Sequence, residues 1–362
     1  MENKINIGVI GAGMYGRVHI DTIRQEERAR VSWVCTRTEE SLNQVMKEYS
    51  IEKGTSSYKE LLADPEIEAV IISTPPATHA KIAVDALKAG KHILIEKPMA
   101  TTRGEMTWLV KERENYPELT VLEASCRHTR LQPKFSFIKG MIEEGKIGRI
   151  YHMHHNHLLQ RTFLEYNPDG RWALDGRFSG GGPLLDWGVY DLSFVMGLFE
   201  DQPLLREVNS FAVGGLRSME TGGDFTGPEQ HTAAYLQFDN GLSFYYERGA
   251  GVHCEVPPET RIYGTRGGLR FSYPTWESNK IEYYSTEGDR RGKPYKKVLK
   301  VDMSKHPDND NTVLIRHFLD CIEKKAQSVM NPELAAKYLN IIFRIYEKSR
   351  LNRHHELNNP EQ

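Results

Sequence analysis

Residues 8–16 read Gly-Val-Ile-Gly-Ala-Gly-Met-Tyr-Gly, and this stretch decides the fold of the first part of the chain. It follows an apolar run at residues 5–10 and opens a helical pattern, the context in which this glycine spacing binds a dinucleotide. Gly11 permits a tight turn, Gly13 lets the backbone approach a pyrophosphate, and Gly16 lets helix and strand pack closely. The alternative is a glycine-rich turn without a ligand, and the strand–turn–helix order argues against it.

Outward from this turn, short apolar runs alternate with helical patterns. The predicted buried parallel strands are residues 5–10, 31–35, 69–73, 92–95 and 119–123, and the predicted helices are residues 15–25, 39–49, 77–89 and 102–115. Strands that alternate with helices indicate an α/β domain with a doubly wound parallel sheet, of the Rossmann type, over residues 1–125.

After residue 125 the pattern changes to period-two alternation with tight turns, which is typical of an antiparallel sheet. The predicted strands are residues 149–159, 206–213, 231–238, 242–249, 260–264, 269–273, 280–284 and 295–301, and the predicted helices are residues 133–144, 183–198, 312–326 and 332–349. We therefore expect a second domain over residues 126–362 that includes the two closing helices.

The composition argues against several classes of protein. The chain has 47 Lys plus Arg and 49 Asp plus Glu, a net charge of −2, whereas a nucleic-acid binder needs a basic excess. No apolar run approaches the roughly 20 residues of a membrane span, and the start lacks the apolar core of a signal peptide. The four cysteines are scattered without a CxxC pair, which indicates a reducing compartment, so we expect a cytoplasmic protein.

The end of the second predicted strand bears on the choice of cofactor. An acid usually stands there and accepts the ribose hydroxyls of NAD. Here the chain has Thr36 and Arg37 instead, so no carboxylate repels a 2′-phosphate and the guanidinium can bind one. We expect NAD(P) as cofactor, with NADP favoured. The alternative is NAD held through Thr36 and the backbone, with Arg37 stacked on adenine or solvated.

Four further segments carry a resemblance to a known family. Residues 73–80 read Ser-Thr-Pro-Pro-Ala-Thr-His-Ala, residues 95–100 read Ile-Glu-Lys-Pro-Met-Ala, residues 180–190 read Gly-Gly-Gly-Pro-Leu-Leu-Asp-Trp-Gly-Val-Tyr, and residues 263–268 read Tyr-Gly-Thr-Arg-Gly-Gly. With the glycine-rich start, the chain closely resembles the glucose–fructose oxidoreductase, inositol dehydrogenase and rhizopine-catabolism (Gfo/Idh/MocA) family over nearly its whole length. The resemblance implies a Rossmann domain and a C-terminal α/β domain with a large, mostly antiparallel sheet, for substrate binding and oligomerisation. It also implies nicotinamide-dependent oxidation or reduction of sugars, cyclitols and related polyols.

The resemblance also implies residue roles. Lys97 matches the catalytic lysine of the family, while Glu96 and Thr74 match residues that hold the nicotinamide ribose and neighbouring groups. Asp186 matches the aspartate of the family's D-x-G-x-H segment, whose histidine is Tyr190 here, as in the glucose–fructose oxidoreductase branch. The candidate cofactor contacts are Gly11, Gly13, Met14, Tyr15, Gly16, Thr36, Arg37, Thr74, Pro75, His79, Glu96 and Lys97.

The candidate catalytic residues also suit the chemistry itself. Oxidation of a secondary alcohol removes a hydride, which the cofactor takes, and a proton, for which the protein supplies a base. An ammonium beside a phenol lowers the pKa of the phenol, so Lys97 with Tyr190 is a competent proton relay near neutral pH. A helix that begins at Pro183 places Asp186 and Tyr190 on one face, where Asp186 can orient the substrate hydroxyl or Lys97. The alternatives are a first-turn acid that serves the helix dipole and a core tyrosine.

The substrate candidates come from the second part of the chain and the domain junction. Residues 151–157 read Tyr-His-Met-His-His-Asn-His, but on a strand two histidines face each way without a placed carboxylate, so we predict no metal site. Asn156 or His157 is a better candidate to line a substrate pocket. Trp172 could stack on a sugar face or pack as an ordinary tryptophan. Arg127 could contact substrate or bridge the domains.

Together these features predict an NAD(P)-dependent dehydrogenase or reductase that acts on a secondary hydroxyl or ketone of a sugar, cyclitol or glycoside, with C3 of a glycoside as the leading refinement. Two alternatives are an NAD-using glycosidase that acts through transient C3 oxidation and a non-catalytic dinucleotide-binding regulator. The expected partners are a sugar or glycoside and further copies of the chain, in a dimer-based homo-oligomer, tetramer or larger. The aromatic runs at residues 244–246 and 283–284 suit a sheet face that is buried between subunits.

Overall fold

The computed structural model of the chain describes residues 4–167, 170–214, 228–254, 256–274, 276–286, 295–304, 306 and 309–349. The strands are β1 (Ile5–Ile10), β2 (Ala29–Cys35), β3 (Lys53–Thr55), β4 (Ala69–Ile72), β5 (His92–Ile95), β6 (Val121–Glu123), β7 (Ile150–Leu159), β8 (Leu205–Val213), β9 (His231–Phe238), β10 (Ser243–Ala250), β11 (Val256–Gly264), β12 (Gly267–Phe271), β13 (Lys280–Ser285) and β14 (Tyr295–Lys300). The helices are α1 (Met14–Arg24), α2 (Glu39–Tyr49), α3 (Tyr58–Ala63), α4 (His79–Lys88), α5 (Arg103–Arg113), α6 (Pro133–Glu143), α7 (Phe163–Tyr166), α8 (Gly176–Ser179), α9 (Pro183–Gly197), α10 (Asp310–Ile322) and α11 (Pro332–Ser349).

The first compact unit comprises Met1–Arg127 and Pro307–Ala336 and is built on a parallel sheet of six strands. The strand order is β3-β2-β1-β4-β5-β6, and it reverses between β1 and β4, the point at which such sheets bind ligands. Every residue of β4 is buried, as expected for a central strand in a parallel sheet. The predicted doubly wound α/β domain is confirmed.

The sequence analysis did not predict β3, the edge strand of this sheet, or the helix α3 that follows it. The segment β3 has only three residues and contains Gly54, so it shows no apolar run by which a strand could be recognised. It pairs in parallel with the end of β2, and α3 follows it directly. Tertiary pairing, and not local pattern, makes this short segment a strand.

The C-terminal boundary of the first unit also differs from the prediction, which placed the whole of residues 126–362 in one domain. Residues Pro307–Ala336, including α10, group with the first unit. The Arg28 guanidinium donates to Asp320 at 2.6 Å and to Glu323 at 3.1 Å, and the N–H of Glu123 donates to the carbonyl oxygen of Met330 at 2.9 Å. These contacts join segments about 200 residues or more apart, which a local sequence pattern does not reveal.

The second compact unit comprises His128–His306 and Lys337–Gln362 and is built on an eight-stranded sheet of order β14-β13-β12-β11-β7-β10-β9-β8. Strands β7 and β10 are parallel, and the other neighbouring pairs of described strands are antiparallel. The predicted large and mostly antiparallel sheet is therefore confirmed. The predicted hairpin turn between β9 and β10 is present, and Gly241 adopts φ +79 in it.

The two faces of this sheet carry different side chains. Tyr246 is buried and donates its hydroxyl proton to Asp191 of α9, and Phe244 is buried on the same face. Tyr245 lies on the opposite face, paired with the exposed Tyr235. The prediction that the whole run 244–246 faces another subunit is wrong for Phe244 and Tyr246, because successive strand residues point to opposite faces.

None of the helices formed by the described residues is both long and apolar enough to cross a membrane. The cysteines are free thiols: Cys35, Cys126 and Cys321 are buried, and Cys254 is exposed.

Candidate active site

The glycine-rich turn joins β1 to α1 where the strand order reverses. Gly11 has φ +92, and a Cβ there would lie 2.8 Å from the backbone of Ser73 and Thr74, so only glycine fits. A Cβ on Gly16 would lie 2.0 Å from the carbonyl oxygen of Gly11, so the helix can approach the turn only with glycine at that position. Apart from Gly13 itself and its two chain neighbours, no described atom lies within 4 Å of the position that a Cβ of Gly13 would take. The turn therefore has the shape that the dinucleotide prediction requires.

Helix α1 begins beside this open space. Gly13 is the N-cap residue, and no described side chain caps the first turn, so backbone N–H groups there are suited to bind phosphate. Met14 is exposed, while the ring of Tyr15 lies 4.8 Å from the Arg127 guanidinium. Contact of Met14 and Tyr15 with a cofactor stays a prediction.

Strand β2 ends at two hydroxyls and an exposed guanidinium. The hydroxyl of Thr36 donates to the carbonyl oxygen of Thr38 at 3.0 Å, and the hydroxyl of Thr38 accepts from the N–H of Ser41. Thr36 is buried, whereas Arg37 is exposed and its guanidinium is hydrogen-bonded to no group in the described part of the chain. Arg37 is therefore free to bind a phosphate, while the donor of Thr36 is already used.

The loops that follow β4 and β5 are tied together by His79. Its ring is buried, with Nε2 2.6 Å from the carbonyl oxygen of Thr74 and Nδ1 2.8 Å from that of Pro98. Since both ring nitrogens face backbone carbonyls, His79 positions the two loops, and its contact with the cofactor stays a prediction. Thr74 and Pro75 are half-buried, and the backbone of Thr74 lies next to Gly11. The contact of both residues with the cofactor stays a prediction.

Glu96 follows β5 at the same edge of the sheet and is locked in a buried ion pair. The side chain is 6% exposed; one carboxylate oxygen accepts from Arg127 at 2.7 Å and lies 2.9 Å from Nε2 of His19. Burial acts to raise the pKa of the Glu96 carboxyl, but Arg127, His19 and Lys97 outweigh it and hold the pKa well below its usual range. Glu96 is therefore an ionised acceptor whose contact with the ribose stays a prediction.

Arg127, for which the sequence suggested a contact with substrate or a bridge between domains, is fully buried. Besides Glu96, its guanidinium donates to Asn311 at 3.1 Å and lies over the ring of Tyr15. Arg127 thus holds Glu96 and contacts the first turn of α1, and its contact with a substrate stays a prediction.

Lys97 is the partly exposed member of this group. Its backbone N–H lies 3.4 Å from a carboxylate oxygen of Glu96, and the peptide bond to Pro98 is cis. On the neighbouring strand, Glu123 is fully buried and accepts from the N–H of Ser125 at 2.8 Å. Burial raises the pKa of Glu123 to about 7. The sequence interpretation missed this carboxyl, whose only signal is an acid at the end of an apolar run.

In the second unit, α9 carries Asp186 and Tyr190 one turn apart and begins at Pro183, as predicted. The buried carboxylate of Glu229 accepts two backbone N–H groups of the first turn, at 2.8 and 3.0 Å, and so caps the helix. Because Glu229 already serves the helix N-terminus, Asp186 is not needed for that purpose and stays a candidate for orienting substrate.

Tyr190 is 1% exposed, and its ring lies 5.1 Å from that of His128 and 5.2 Å from that of Trp187. Lys97 belongs to the first unit and Tyr190 to the second. Their proposed cooperation in proton transfer therefore stays a prediction.

Asp191, next to Tyr190, is the centre of a buried polar network that the sequence interpretation missed. Its carboxylate is fully buried and accepts from Arg248 at 2.5 and 2.9 Å, from Tyr246 at 2.8 Å and from Tyr273 at 2.6 Å. Burial acts to raise the pKa of Asp191, but Arg248 outweighs it and holds the pKa well below the usual range. The signal in the sequence is a second acid, after Asp186, within an otherwise largely apolar helix.

Strand β7 distributes its polar residues over two faces. His157 lies on the face of α9, with its ring 6.5 Å from that of Trp187. His154 and Asn156 line a cavity of about 330 Å³ on the opposite face. Asn156 also donates to the carbonyl oxygen of Pro257 at 3.1 Å. Contact of Asn156 or His157 with a substrate stays a prediction. Among the described residues, no group of three or more His, Cys, Asp or Glu is arranged to hold a metal ion.

The protein should lose stability in acid because of His157. Burial, reinforced by Arg248, lowers the pKa of His157 to about 2, while the unfolded histidine titrates near 6.5. As the pH falls below about 6.5, the unfolded chain takes up a proton that the folded chain does not, so the free energy of unfolding decreases. We expect His157 to account for about 1.4 kcal/mol of stability lost between about pH 7.5 and about pH 5.5.

Urea unfolding of the wild type and of His157→Gln at both pH values measures this contribution. The variant should be less sensitive to acid by that amount, whereas His253→Gln, at an exposed position, should behave as the wild type. Equal acid sensitivity of wild type and His157→Gln would contradict the assignment.

Trp172 lies on the short helical turn Arg171–Leu174 and is partly exposed. Its ring contact is with Phe163, at 6.3 Å between centroids. The described contacts do not bring Trp172 to Tyr190, so its stacking on a sugar stays a prediction.

The chain is similar to known proteins over most of its length. Residues 5–121 match the model of an oxidoreductase family with an NAD-binding Rossmann fold, and residues 135–270 match the model of the GFO/IDH/MocA C-terminal domain. The chain is 30% identical to an uncharacterised oxidoreductase of Rhizobium meliloti over 271 residues. This alignment covers 75% of each of the two proteins. It is 27% identical over 316 residues to levoglucosan dehydrogenase of Pseudarthrobacter phenanthrenivorans, which covers 81% of this chain and 79% of that protein.

Among solved structures, levoglucosan dehydrogenase in complex with NADH and levoglucosan superposes with a TM-score of 0.80 at 20% identity. The superposition covers 96% of this chain and 98% of that one, and it shows a shared fold over both units.

Proposed function

This chain belongs to the Gfo/Idh/MocA oxidoreductase family, and from that premise we propose that it is a sugar, cyclitol or glycoside dehydrogenase or reductase. It would transfer a hydride between a nicotinamide cofactor and a secondary hydroxyl or ketone, and C3 of a glycoside is the position that we favour. The observation that carries the proposal lies in the first unit. The open glycine-rich turn, Thr74 and Lys97 follow β1, β4 and β5, so they lie at one edge of the parallel sheet, where a dinucleotide would bind.

The residues of the chain have separate roles in this proposal. A bound nicotinamide supplies or accepts the hydride. Lys97 and Tyr190 exchange the proton of the reacting oxygen, and Asp186 orients the substrate. Glu96, held by Arg127 and His19, presents a fixed anionic acceptor next to Lys97. His79 keeps the loop of Thr74 at a constant distance from that of Lys97.

A panel of sugars, glycosides and cyclitols tests the proposed function. The purified protein is mixed with each compound and with NAD or NADP, and reduced cofactor is followed by absorbance and product by mass spectrometry. We expect reduced cofactor and an oxidised product lighter by two hydrogens. Release of an aglycone with no net reduction of cofactor would support a glycosidase instead, and tight cofactor binding without turnover of any compound would support a regulator.

We propose that the cofactor is NADP in preference to NAD, because Arg37 is exposed and available at the end of β2. A charge-assisted hydrogen bond from this guanidinium to the 2′-phosphate is worth about 1.5–3 kcal/mol. Arg37→Ala should therefore weaken NADP binding by about tenfold or more and change NAD binding by less than about threefold. Calorimetric titration of wild type and variant with both dinucleotides measures the four dissociation constants. Tighter binding of NAD to the wild type, or unchanged NADP binding in the variant, would contradict the proposal.

We also propose a homo-oligomer built from dimers. The support is the sheet face that carries Tyr235, Tyr245 and Tyr284, opposite to the face that is buried under α9. Exposed aromatic surface of this kind is costly to leave in water. Light scattering at micromolar protein should give the mass of a dimer, tetramer or larger assembly, and a mass near 41.5 kDa would show a monomer.

A further inference from the structure

Three aromatic side chains next to Tyr190 form a group that the proposed catalytic roles do not use. We call His128, Trp187 and Trp276 the aromatic platform. The ring of His128 lies 5.0 Å from that of Trp276, edge to face, and 6.3 Å from that of Trp187, stacked. The rings of Trp187 and Trp276 are 6.2 Å apart, and both His128 and Trp187 contact the ring of Tyr190. The platform thus extends directly from the candidate catalytic tyrosine.

The exposure of the side chains increases from Tyr190 to the outer end of the platform. Tyr190 is 1% exposed, His128 and Trp187 are half-buried, and Trp276 is 54% exposed. An indole that is more than half exposed gives up hydrophobic stabilisation in the free protein. Such exposure next to a candidate catalytic residue points to a binding surface.

A buried lysine supports the chain around Trp276. The fully buried Lys134 donates to the carbonyl oxygens of Ser272 at 2.7 Å, Pro274 at 3.1 Å and Ser278, and so holds described residues on both sides of Trp276. These three bonds use the whole donor capacity of the ammonium.

Trp187 has an equally fixed support. The guanidinium of Arg248 lies 5.6 Å from its ring centroid, and Arg248 is itself held by the buried carboxylate of Asp191. The buried side chains of Lys134 and Arg248 therefore support the two indoles.

We propose that the aromatic platform binds the ring of the substrate through its C–H face, and that the substrate is accordingly a cyclic sugar or glycoside and not an open-chain polyol. This inference rests on the proposed function and specifies its substrate class. The face of an indole is electron-rich and attracts the slightly positive C–H hydrogens of a pyranose. An open-chain polyol presents no such flat face and loses more conformational freedom on binding.

Binding measurements that do not depend on turnover test the proposal. The protein with bound reduced cofactor is titrated by calorimetry with methyl β-D-glucopyranoside and with D-sorbitol. The wild type should bind the pyranoside at least about tenfold more tightly. Trp276→Ala should weaken pyranoside binding about tenfold and leave sorbitol binding unchanged, with Trp276→Phe in between. The control Trp108→Ala, at a comparably exposed tryptophan on α5, should change neither constant.

Three outcomes would contradict the proposed role of the aromatic platform. These are equal binding of the two compounds by the wild type, unchanged pyranoside binding in Trp276→Ala, or an equal loss for both compounds. Thermal unfolding of each variant shows whether it is folded, and Trp276→Phe provides the test should the alanine variant unfold. Absence of cofactor reduction with any sugar, together with Trp276-dependent pyranoside binding, would reject the proposed function and keep the platform.

Discussion

Replacement of Lys97 by alanine is expected to abolish turnover while cofactor binding survives within about tenfold. Lys97 is the partly exposed cation at the edge of the sheet where the dinucleotide is expected, so its loss removes the proposed proton-transfer group. The glycine-rich turn is independent of this side chain, so the pyrophosphate keeps its backbone donors. Steady-state kinetics and cofactor titration of the purified variant separate the two effects.

Two further variants sharpen this test. Lys97→Arg keeps a positive charge but replaces the amine by a guanidinium, which does not lose its proton in proteins, so this variant should be nearly as inactive as the alanine variant. Lys111→Ala, at an exposed position on α5, should retain wild-type activity. Turnover of Lys97→Ala within about tenfold of the wild type would remove Lys97 from the proposed chemistry.

Tyr190→Phe is expected to lower kcat by about 10²–10⁴-fold, the usual contribution of general acid–base catalysis. The substitution removes one hydroxyl and keeps the ring contacts with His128 and Trp187, so the variant should fold normally. The matched control is Tyr338→Phe, which alters an equally buried tyrosine on α11 that donates to Asp201. The control should cost stability and leave kcat unchanged.

The dependence of rate on pH separates a relay from a single base. If the phenol of Tyr190 titrates in the field of the Lys97 ammonium, the basic limb of the profile should move when either residue is changed. If kcat falls by less than about tenfold in Tyr190→Phe, Lys97 would be the sole base, and Tyr190 would only shape the pocket. If the basic limb of the pH–rate profile stays in place in both variants, Lys97 and Tyr190 do not form a proton relay. His157 or His128 would then be the next candidate base.

The parts of the fold that local pattern determines could be predicted. The glycine spacing of the first turn follows from backbone sterics, since Gly11 has φ +92 and Gly16 has no room for a Cβ. Likewise, Pro183 marks the start of α9, and the alternation of β9 and β10 predicts an antiparallel pair. Each of these features depends on residues that are close together in the sequence.

The features that the sequence did not reveal depend on residues that are distant in it. Whether Arg127 meets a substrate or Glu96 depends on how β5 and β6 lie side by side, which no periodicity encodes. Alternation places Asn156 and His157 on opposite faces of β7 but does not say which face α9 covers. Trp276, far from Tyr190 in the sequence, comes near it only through the folded sheet.

The buried acids show the same limit. An acid inside an apolar run is recognisable, but its partner is not, and Asp191 finds Arg248 57 residues further along the chain. Removal of one member of such a buried pair typically costs about 3–5 kcal/mol, so this network constrains the position of α9 strongly.

The most direct test of the account follows the hydride itself. A sugar from the active set of the panel, deuterated at all of its carbon atoms, is incubated with the purified protein and oxidised NADP, and the reduced cofactor is analysed by mass spectrometry. We expect reduced cofactor that carries one deuterium per molecule of oxidised sugar. Reduced cofactor without deuterium, or loss of deuterium from the sugar with no reduced cofactor, would contradict hydride transfer as the function of this protein.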